Sequence, residues 1–413
     1  MNNYLQNTSR YLIYFLLIFT PLARGSVQLW AISAIELTTL LALSIFLIDK
    51  TLKGQWQWIK TPLDWPIVCL TALCLLSSVF SQHRQTSFWS FILLLNYLTI
   101  FYLTIYLFQT RAQLRTLIYI IIGVATFLAV FGLFKRFGVN PFPWWDYGDI
   151  RYIPYRLSST YGNANHLAGY LEMAVPLLLG LFMLGYRKGT RLLLFYITML
   201  ILTALILSLS RSGWTSTLIG LIFMSVVLLR SKYFIYKKSV IGGIIGFVVL
   251  TLVILASTPV VERIRTLEEA SEAPSLAGRA RVWKGIIKEI KDYPLLGTGP
   301  GTFSTVFTQY QPAGQAVRYN YAHNDYLHFI SETGVFLMPI IIWMIIALYR
   351  KGFKKIKNPS RLVRGTTLGA MAGITALLFH SIVDFNLHIP ANAILFTILA
   401  VIAVSPIPKN ESF

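Results

Sequence analysis

Apolar runs of about 20 residues, separated by short polar stretches, recur along almost the entire chain. An α-helix needs about 20 residues to cross the hydrocarbon core of a bilayer. The strands of a membrane barrel would instead alternate over about 10 positions, a pattern that we do not see in this sequence. We therefore predict an all-α polytopic membrane protein with about twelve transmembrane helices. The predicted spans lie at about 11–23, 27–48, 65–80, 88–108, 114–136, 164–185, 191–209, 212–229, 240–258, 324–349, 365–383 and 390–405.

Two polar stretches are longer than a turn between spans. Residues 137–163 are rich in aromatic side chains, and residues 259–322 form the longest loop. The chain is thus predicted to divide into spans one to nine (1–258), this long loop, and spans ten to twelve (323–413). The aromatic side chains of the shorter stretch either lie in the lipid headgroup layer or form a platform on which sugar rings stack.

An amphipathic helix is predicted within the long loop. After Gly278, apolar residues recur at helical spacing and charged residues fill the other face. The apolar set is Val282, Trp283, Ile286, Ile287 and Ile290, and the charged set is Lys284, Lys288, Glu289 and Lys291. Pro294 ends the helix. We expect it to lie along the outer membrane surface of the bundle.

The composition agrees with a membrane protein and fixes its predicted orientation. The chain is 55% apolar and 13% charged, too apolar for a soluble globule. A net charge of +20 is also typical of nucleic-acid binding, but the lysines and arginines fall in short clusters between spans, near 50–60, 187–191, 230–238 and 350–364. Such clusters mark cytoplasmic loops. We therefore expect both termini in the cytoplasm, the long loop outside, and no nucleic-acid partner.

Three arginines on the predicted outer side are candidates for binding an anion. Arg211 stands between spans seven and eight, where almost no loop exists. It either snorkels to headgroups or binds a phosphate with both guanidinium nitrogens. Arg279 and Arg281 are two residues apart, so on a helix they face roughly 200° from each other. At most one of these two is expected to point into a shared pocket.

His323 is the candidate general base. It heads span ten and is followed by Asn324 and Asp325. A histidine at such a boundary is often a structural hydrogen-bonding residue, but the dipole at a helix N-terminus favours a neutral imidazole that can accept a proton. Asp325 is the alternative base. Asn163 and Asn165 open span six in a similar way, where they either cap the helix or line the same cavity.

No Walker motif, dinucleotide glycine pattern or Cys/His cluster with metal-ligand spacing is found. Asp146 and Asp149 in the aromatic stretch are only a weak pattern for a divalent ion. We therefore expect no metal and no cofactor. A reaction on a diphosphate then needs arginines to balance the charge of the leaving group.

These motifs, in this order, resemble the O-antigen ligase-related family of polytopic proteins of the bacterial inner membrane. The resemblance covers about residues 156–335. The motifs that carry it are Asn163-Ala164-Asn165-His166, Ser210-Arg211-Ser212-Gly213, Gly278-Arg279 with Trp283, Pro294-Leu295-Leu296-Gly297-Thr298-Gly299-Pro300-Gly301, and His323-Asn324 with Tyr326 and Glu332-Thr333-Gly334.

The resemblance implies an all-helical, GT-C-like inverting glycosyltransferase that needs no metal. Its donor would be undecaprenyl-diphosphate-linked glycan, and its acceptor lipid A-core oligosaccharide, on the periplasmic side. His323 would deprotonate the acceptor hydroxyl, while Arg211 and Arg279 would hold the diphosphate. The further substrate-binding positions that it implies are Arg156, Asn165, Arg281 and Asn324.

Two other functions stay open. A Wzy-type polymerase of the same family uses the same donor and differs in its acceptor, which the sequence does not identify. A transporter of an anionic lipid or solute would show ionisable residues near the membrane midplane and broken helices. Glu36 and Glu172 are the few candidates for such residues. A non-catalytic scaffold would give no reason for arginines and a histidine on one side.

Overall fold

The computed structural model describes residues 4–54, 56–142, 156–234, 237–256, 276–311 and 318–408, and these ranges contain helices but no strand. Six of the helices are long and apolar enough to cross a membrane. The predicted all-α fold is confirmed, while the count of twelve spans stays a prediction. The helices are α1 (Tyr4–Leu22), α2 (Leu29–Lys53), α3 (Asp64–Val79), α4 (Arg84–Leu107), α5 (Arg111–Arg136), α6 (Ala164–Phe182), α7 (Lys188–Leu207), α8 (Arg211–Arg230), α9 (Lys237–Ala256), α10 (Leu276–Asp292), α11 (Phe303–Val306), α12 (Asp325–Thr333), α13 (Leu337–Lys355), α14 (Arg361–His380) and α15 (Pro390–Val404).

Helices α6 and α14 form the centre of the bundle. In α14, 78% of the most apolar window is buried, against 28% in α2, which lies at the periphery. Glycines let the two central helices approach closely. A Cβ atom on Gly365 would lie 2.2 Å from the main-chain oxygen of Gly180. Small residues at the crossing point are the usual means by which membrane helices pack, because lipid removes most of the hydrophobic driving force.

Side-chain caps fix where three helices begin at one end of the bundle. Asn163 accepts a hydrogen bond from the main chain of Asn165 at the start of α6. Ser210 does the same for α8, and Asn324 for α12. Each cap satisfies a backbone N–H that has no partner within its helix. The capping role considered for Asn163 is thus observed.

The tenth predicted span (324–349) is broken into α12 and α13. The break is at Gly334, which has a φ of 83°. A Cβ atom there would lie 2.0 Å from the main-chain oxygen of Leu295, because the Pro and Gly segment 294–301 packs into the break. This segment bonds to α12 through Thr298 N to Ser331 O (3.0 Å). The prediction of one continuous helix was wrong, since tertiary contacts replace the helical bonds there.

The predicted amphipathic helix forms as α10, but its buried face differs from the prediction. Val282 and Ile286 are buried against Phe303 and Phe307 in a small core of the long loop itself. Glu289, assigned to the polar face, is fully buried. It lies seven residues after Val282 and three after Ile286, so helical geometry brings it to the same face. Ile287, assigned to the apolar face, is 46% exposed.

Residues 143–155 of the aromatic stretch, including Asp146 and Asp149, lie outside the described residues. Tyr161 at its end is described, and it is buried in the bundle. Its hydroxyl donates a hydrogen bond to Oδ1 of Asn392 (3.2 Å). This tyrosine therefore belongs to the packed interior, and neither to a headgroup layer nor to a sugar-binding platform.

Candidate active site

His323 lies against a buried carboxylate. Its Nδ1 atom is 3.7 Å from Oδ1 of Asp384, which is in the connection between α14 and α15. The side chain of His323 is 19% exposed, whereas that of Asp384 is 1% exposed. A carboxylate beside one ring nitrogen orients the imidazole and leaves the other nitrogen for a substrate. This is the arrangement expected of a general base and the group that orients it.

The backbone also places His323 unusually, since its φ is 49°. Only a few per cent of residues other than glycine adopt this left-handed region, and histidine is among the types enriched there. His323 comes directly before Asn324, the residue that caps α12. The left-handed conformation turns the ring of His323 toward Phe385, which it meets edge to face with centroids 4.9 Å apart.

Three imidazoles surround the Asp384 carboxylate. Burial by itself would raise the pKa of Asp384, but the nearby rings of His323, His166 and His380 outweigh burial and hold its pKa well below the ordinary value. A carboxylate that stays ionised in a buried place is able to stabilise a positive charge that develops on a neighbouring ring. The site is therefore built to favour protonation of an imidazole.

The arginines predicted to bind a diphosphate are not equally placed. Arg279, near the start of α10, donates a hydrogen bond from Nη1 to the main-chain oxygen of Val383, directly before Asp384. Arg281 is exposed. Of these two arginines, Arg279 therefore contacts the segment that carries Asp384, and the binding of a diphosphate by either one stays a prediction.

Arg156 joins the same site. Its Nε donates to the main-chain oxygen of Ser208 (2.9 Å), and its Nη2 donates to Oδ1 of Asn165 (2.5 Å). Burial lowers the pKa of the Arg156 guanidinium, while Asp384 raises it and Arg279 lowers it further. Its two hydrogen bonds fix Arg156 between the start of α6 and the turn before α8.

Arg211 is the first residue of α8, and its side chain is exposed. The turn before Arg211 contains Ser208, whose main-chain oxygen accepts the hydrogen bond from Arg156. A Cβ atom on Gly213 would lie 2.6 Å from the Cβ of Ala168, so the first turn of α8 packs on the first turns of α6. Arg211 therefore lies at the same end of the bundle as Arg156 and Asn165.

Asn324 and Asp325 are occupied by structural hydrogen bonds. Asn324 caps α12 by accepting from Leu327 N (2.9 Å). Asp325 is 1% exposed, and its Oδ1 lies 2.7 Å from Nδ1 of His388, while Oδ2 accepts from Leu387 N (3.1 Å). These bonds tie α12 to the short helical turn at 386–388. They make Asp325 a poor alternative to His323 as the base.

Sequence reasoning gave Asp384, His380 and Glu172 no catalytic role. In the structure, His380 Nε2 lies 3.9 Å from Oδ2 of Asp384, and His380 Nδ1 lies 3.0 Å from Oε2 of Glu172. Glu172 and His380 are 208 residues apart, so only the packing of α6 against α14 brings them together. These residues could have been identified from the sequence because ionisable side chains in or beside an apolar span are costly and usually have a functional role.

One group of side chains in the described ranges has ligand atoms close enough for a metal ion. His328, Glu332 and His388 each offer an atom within 4.8 Å of the other two. Their polar atoms already bond within the protein. His328 Nε2 lies 3.2 Å from Oε1 of Glu332, which also accepts from Phe303 N (3.1 Å). The group is thus accounted for as a hydrogen-bonding network that holds α12 in place.

Comparison with known proteins agrees with the motifs. Residues 194–343 match the family model described as O-Antigen ligase. The matched region contains Arg211, Arg279 and His323, while Asp384 and Glu172 lie outside it. No curated protein matches the chain. The resemblance predicted from the sequence is therefore confirmed for residues 194–343, which are similar to the O-antigen ligase family.

Proposed function

We propose that the protein is an O-antigen ligase that transfers a glycan from undecaprenyl diphosphate to lipid A-core oligosaccharide on the periplasmic side of the bacterial inner membrane. The proposal rests on the position of His323 against the buried Asp384, with Arg279 bonded to the residue directly before Asp384. A partly exposed imidazole, an orienting carboxylate and fixed guanidinium groups are what a displacement at a diphosphate-linked sugar needs.

The proposed reaction is a single displacement with inversion. Nε2 of His323 takes the proton of an acceptor hydroxyl while the hydroxyl oxygen attacks the anomeric carbon of the donor sugar. The bond between that carbon and the diphosphate oxygen breaks, and its electron pair stays on undecaprenyl diphosphate. Asp384 stabilises the imidazolium that forms, as carboxylates do for histidine bases elsewhere.

Arginines balance the charge of the leaving diphosphate in this proposal. Arg279 and Arg156 have planar guanidinium groups held by bonds to main-chain oxygens and, for Arg156, to Asn165. Such groups match two phosphate oxygens at once. Arg211 joins them from the exposed start of α8, where its long side chain reaches a donor at the membrane surface.

The direction of α14 supports a periplasmic site. This helix begins with the basic residues Arg361 and Arg364 and ends at His380, beside Asp384. Basic clusters mark the cytoplasmic side of membrane helices. The site therefore lies at the other end, which we propose faces the periplasm, with both chain termini in the cytoplasm.

A transporter receives less support. Glu172 lies about two turns into α6, and His380 is the last residue of α14. The buried ionisable pair thus belongs to the site end of the bundle, whereas a transport pathway would place such residues at the midplane. The break at Gly334 is filled by the segment 294–301 and does not line a passage.

The test is glycan transfer by the purified protein in detergent, with undecaprenyl-diphosphate glycan as donor, lipid A-core as acceptor and EDTA present. Labelled product on lipid A-core supports the ligase. Longer glycan on the donor with no product on lipid A-core would identify a polymerase instead. Neither product, from protein that elutes as a single folded species, would contradict glycosyl transfer and make transport assays the next experiment.

A further inference from the structure

A buried ionisable pair lies behind the contact between His323 and Asp384, and the reaction proposed above does not use it. Glu172 in α6 and His380 in α14 are both fully buried. Nδ1 of His380 lies 3.1 Å from Oε1 and 3.0 Å from Oε2 of Glu172. Replacing a buried ion pair by apolar side chains is often neutral or stabilising. Packing of α6 against α14 therefore gives no reason for such a pair.

The pair continues the line of groups that starts at His323. His380 Nε2 lies 3.9 Å from Oδ2 of Asp384, and the other carboxylate oxygen lies 3.7 Å from His323 Nδ1. Nε2 of His380 and Oδ2 of Asp384 are both buried and have no hydrogen-bond partner within the described structure. Each carboxylate oxygen of Asp384 thus faces one imidazole, and each nitrogen of His380 faces one carboxylate.

The groups around His380 favour its protonated form. An ionised carboxylate only accepts hydrogen bonds, whereas an imidazolium donates from both ring nitrogens. His380 has a carboxylate at each ring nitrogen, Glu172 at 3.0 Å and Asp384 at 3.9 Å, and two nearby carboxylates favour the imidazolium. The titratable and charged groups that act on it are Glu172 and His166 from α6, Asp384 from the connection after α14, and Arg279 from α10. With both carboxyls ionised, Glu172, His380 and Asp384 together carry one net negative charge.

We propose that Glu172 and His380 are positioning residues for the transfer reaction: they hold the Asp384 carboxylate against His323 and keep a net negative charge behind that ring. This inference rests on the proposed function. When His323 takes the acceptor proton, the charge behind it favours the imidazolium, and the proton leaves from Nε2 after the product departs. Neither Glu172 nor His380 touches the substrate.

The first test compares Glu172→Gln with the wild type. The substitution keeps the shape of the side chain and removes its charge. We expect kcat to fall on the order of ten-fold, because orientation of the base contributes only part of general base catalysis. KM for the lipid-linked donor stays unchanged. The acid limb of the kcat/KM profile moves to lower pH, since loss of a buried negative charge makes His323 a weaker base.

Two substitutions of His380 separate its two contacts. In His380→Gln, the amide nitrogen lies near the position of Nε2, so the contact with Asp384 is kept. The amide of His380→Asn lies near the position of Nδ1 and keeps only the side that faces Glu172. We expect the glutamine variant to retain more activity than the asparagine variant. Thr366→Val is the matched control, because Thr366 is a buried residue of α14 whose hydroxyl bonds only to its own helix.

A measurement on the wild type does not depend on whether the variants fold. Nitrogen-15 NMR reports the protonation of each histidine ring, and the chain has six histidines. The signal of His380 is assigned by its contact with the carboxyl carbon of Glu172. We expect both nitrogens of His380 to be protonated at pH 7. A neutral His380 ring would overturn the inference, and so would variants with the kcat and pH profile of the wild type. Failure of the wild type to transfer glycan would instead contradict the proposed function.

Discussion

Arg279 donates a hydrogen bond to the main-chain oxygen of Val383, the residue directly before Asp384. The bond joins α10, from the long loop, to the connection between α14 and α15, which carries the carboxylate that faces His323. The guanidinium proposed for the diphosphate and the base proposed for the acceptor are thus positioned by the same short segment. Arg281, two residues later, points away and is exposed.

This difference makes Arg279→Ala and Arg281→Ala a matched pair. Removing a fixed cation that balances a leaving diphosphate should lower kcat/KM by roughly 10²- to 10³-fold. Removing an exposed cation should change it little, because solvent already screens that charge. Initial rates of glycan transfer measure both variants. Equal losses in the two would contradict the assignment of Arg279 to the diphosphate.

Asp384→Asn tests the orienting carboxylate. The amide keeps the size of the side chain but removes the charge that stabilises the imidazolium, so kcat should fall on the order of 10²- to 10⁴-fold. The neighbouring imidazoles hold the pKa of Asp384 well below its ordinary value. The wild-type carboxylate therefore stays ionised throughout the pH range of the assay. The acid limb of the kcat/KM profile should then fit a single ionisation, and a second ionisation above pH 5 would contradict this account.

Much of the bundle follows from the sequence, because apolar runs of sufficient length leave the chain few alternatives in a membrane. The site motifs were also readable, since Arg211, Arg279 and His323 each stand beside residues with a defined role at a helix start or turn. The line from His323 to Glu172 was not readable. Glu172 and His380 meet only through close helix packing, and no local pattern records which faces of two helices touch.

Glu289 shows a second limit of sequence reasoning. A glutamate among lysines indicated a solvated face, yet the spacing from Val282 and Ile286 places it on the buried one. Burial, with Glu332 nearby, raises the pKa of Glu289 from 4.5 to about 8, and contact with Thr298 only partly opposes this. The residue-type pattern was thus misleading, and the helical spacing was the better guide.

A pH dependence of stability follows from Glu289. Because its folded-state pKa lies above that of the unfolded chain, stability is highest below about 4.5 and falls as the pH rises toward about 8. Glu289→Gln removes this titration and should stabilise the protein at pH 8 by up to roughly 4 kcal/mol, with a much smaller difference at pH 5. Thermal unfolding in detergent at both pH values measures it. A difference in stability between Glu289→Gln and the wild type that is the same at pH 5 and pH 8 would contradict burial of the carboxyl group as the cause.

Gly334→Ala tests the break between α12 and α13. Gly334 has a φ of 83°, and an added Cβ would lie 2.0 Å from the main-chain oxygen of Leu295. We expect a loss of roughly 2–5 kcal/mol in the free energy of unfolding, from backbone strain and overpacking together. Gly138→Ala is the control, because Gly138 has a φ of 80° and open space around it. It should cost only about 1–2 kcal/mol, and equal costs would show that the packing of segment 294–301 contributes nothing.

We propose that His323 activates the acceptor hydroxyl, and glycan transfer by His323→Ala and by His83→Ala tests this role. His83 is an exposed histidine that precedes α4 and serves as the control. We expect His83→Ala to form product at the wild-type rate. His323→Ala, with unchanged thermal unfolding, should lose on the order of 10²- to 10⁴-fold in kcat. Transfer by a folded His323→Ala protein at the wild-type rate would contradict the account.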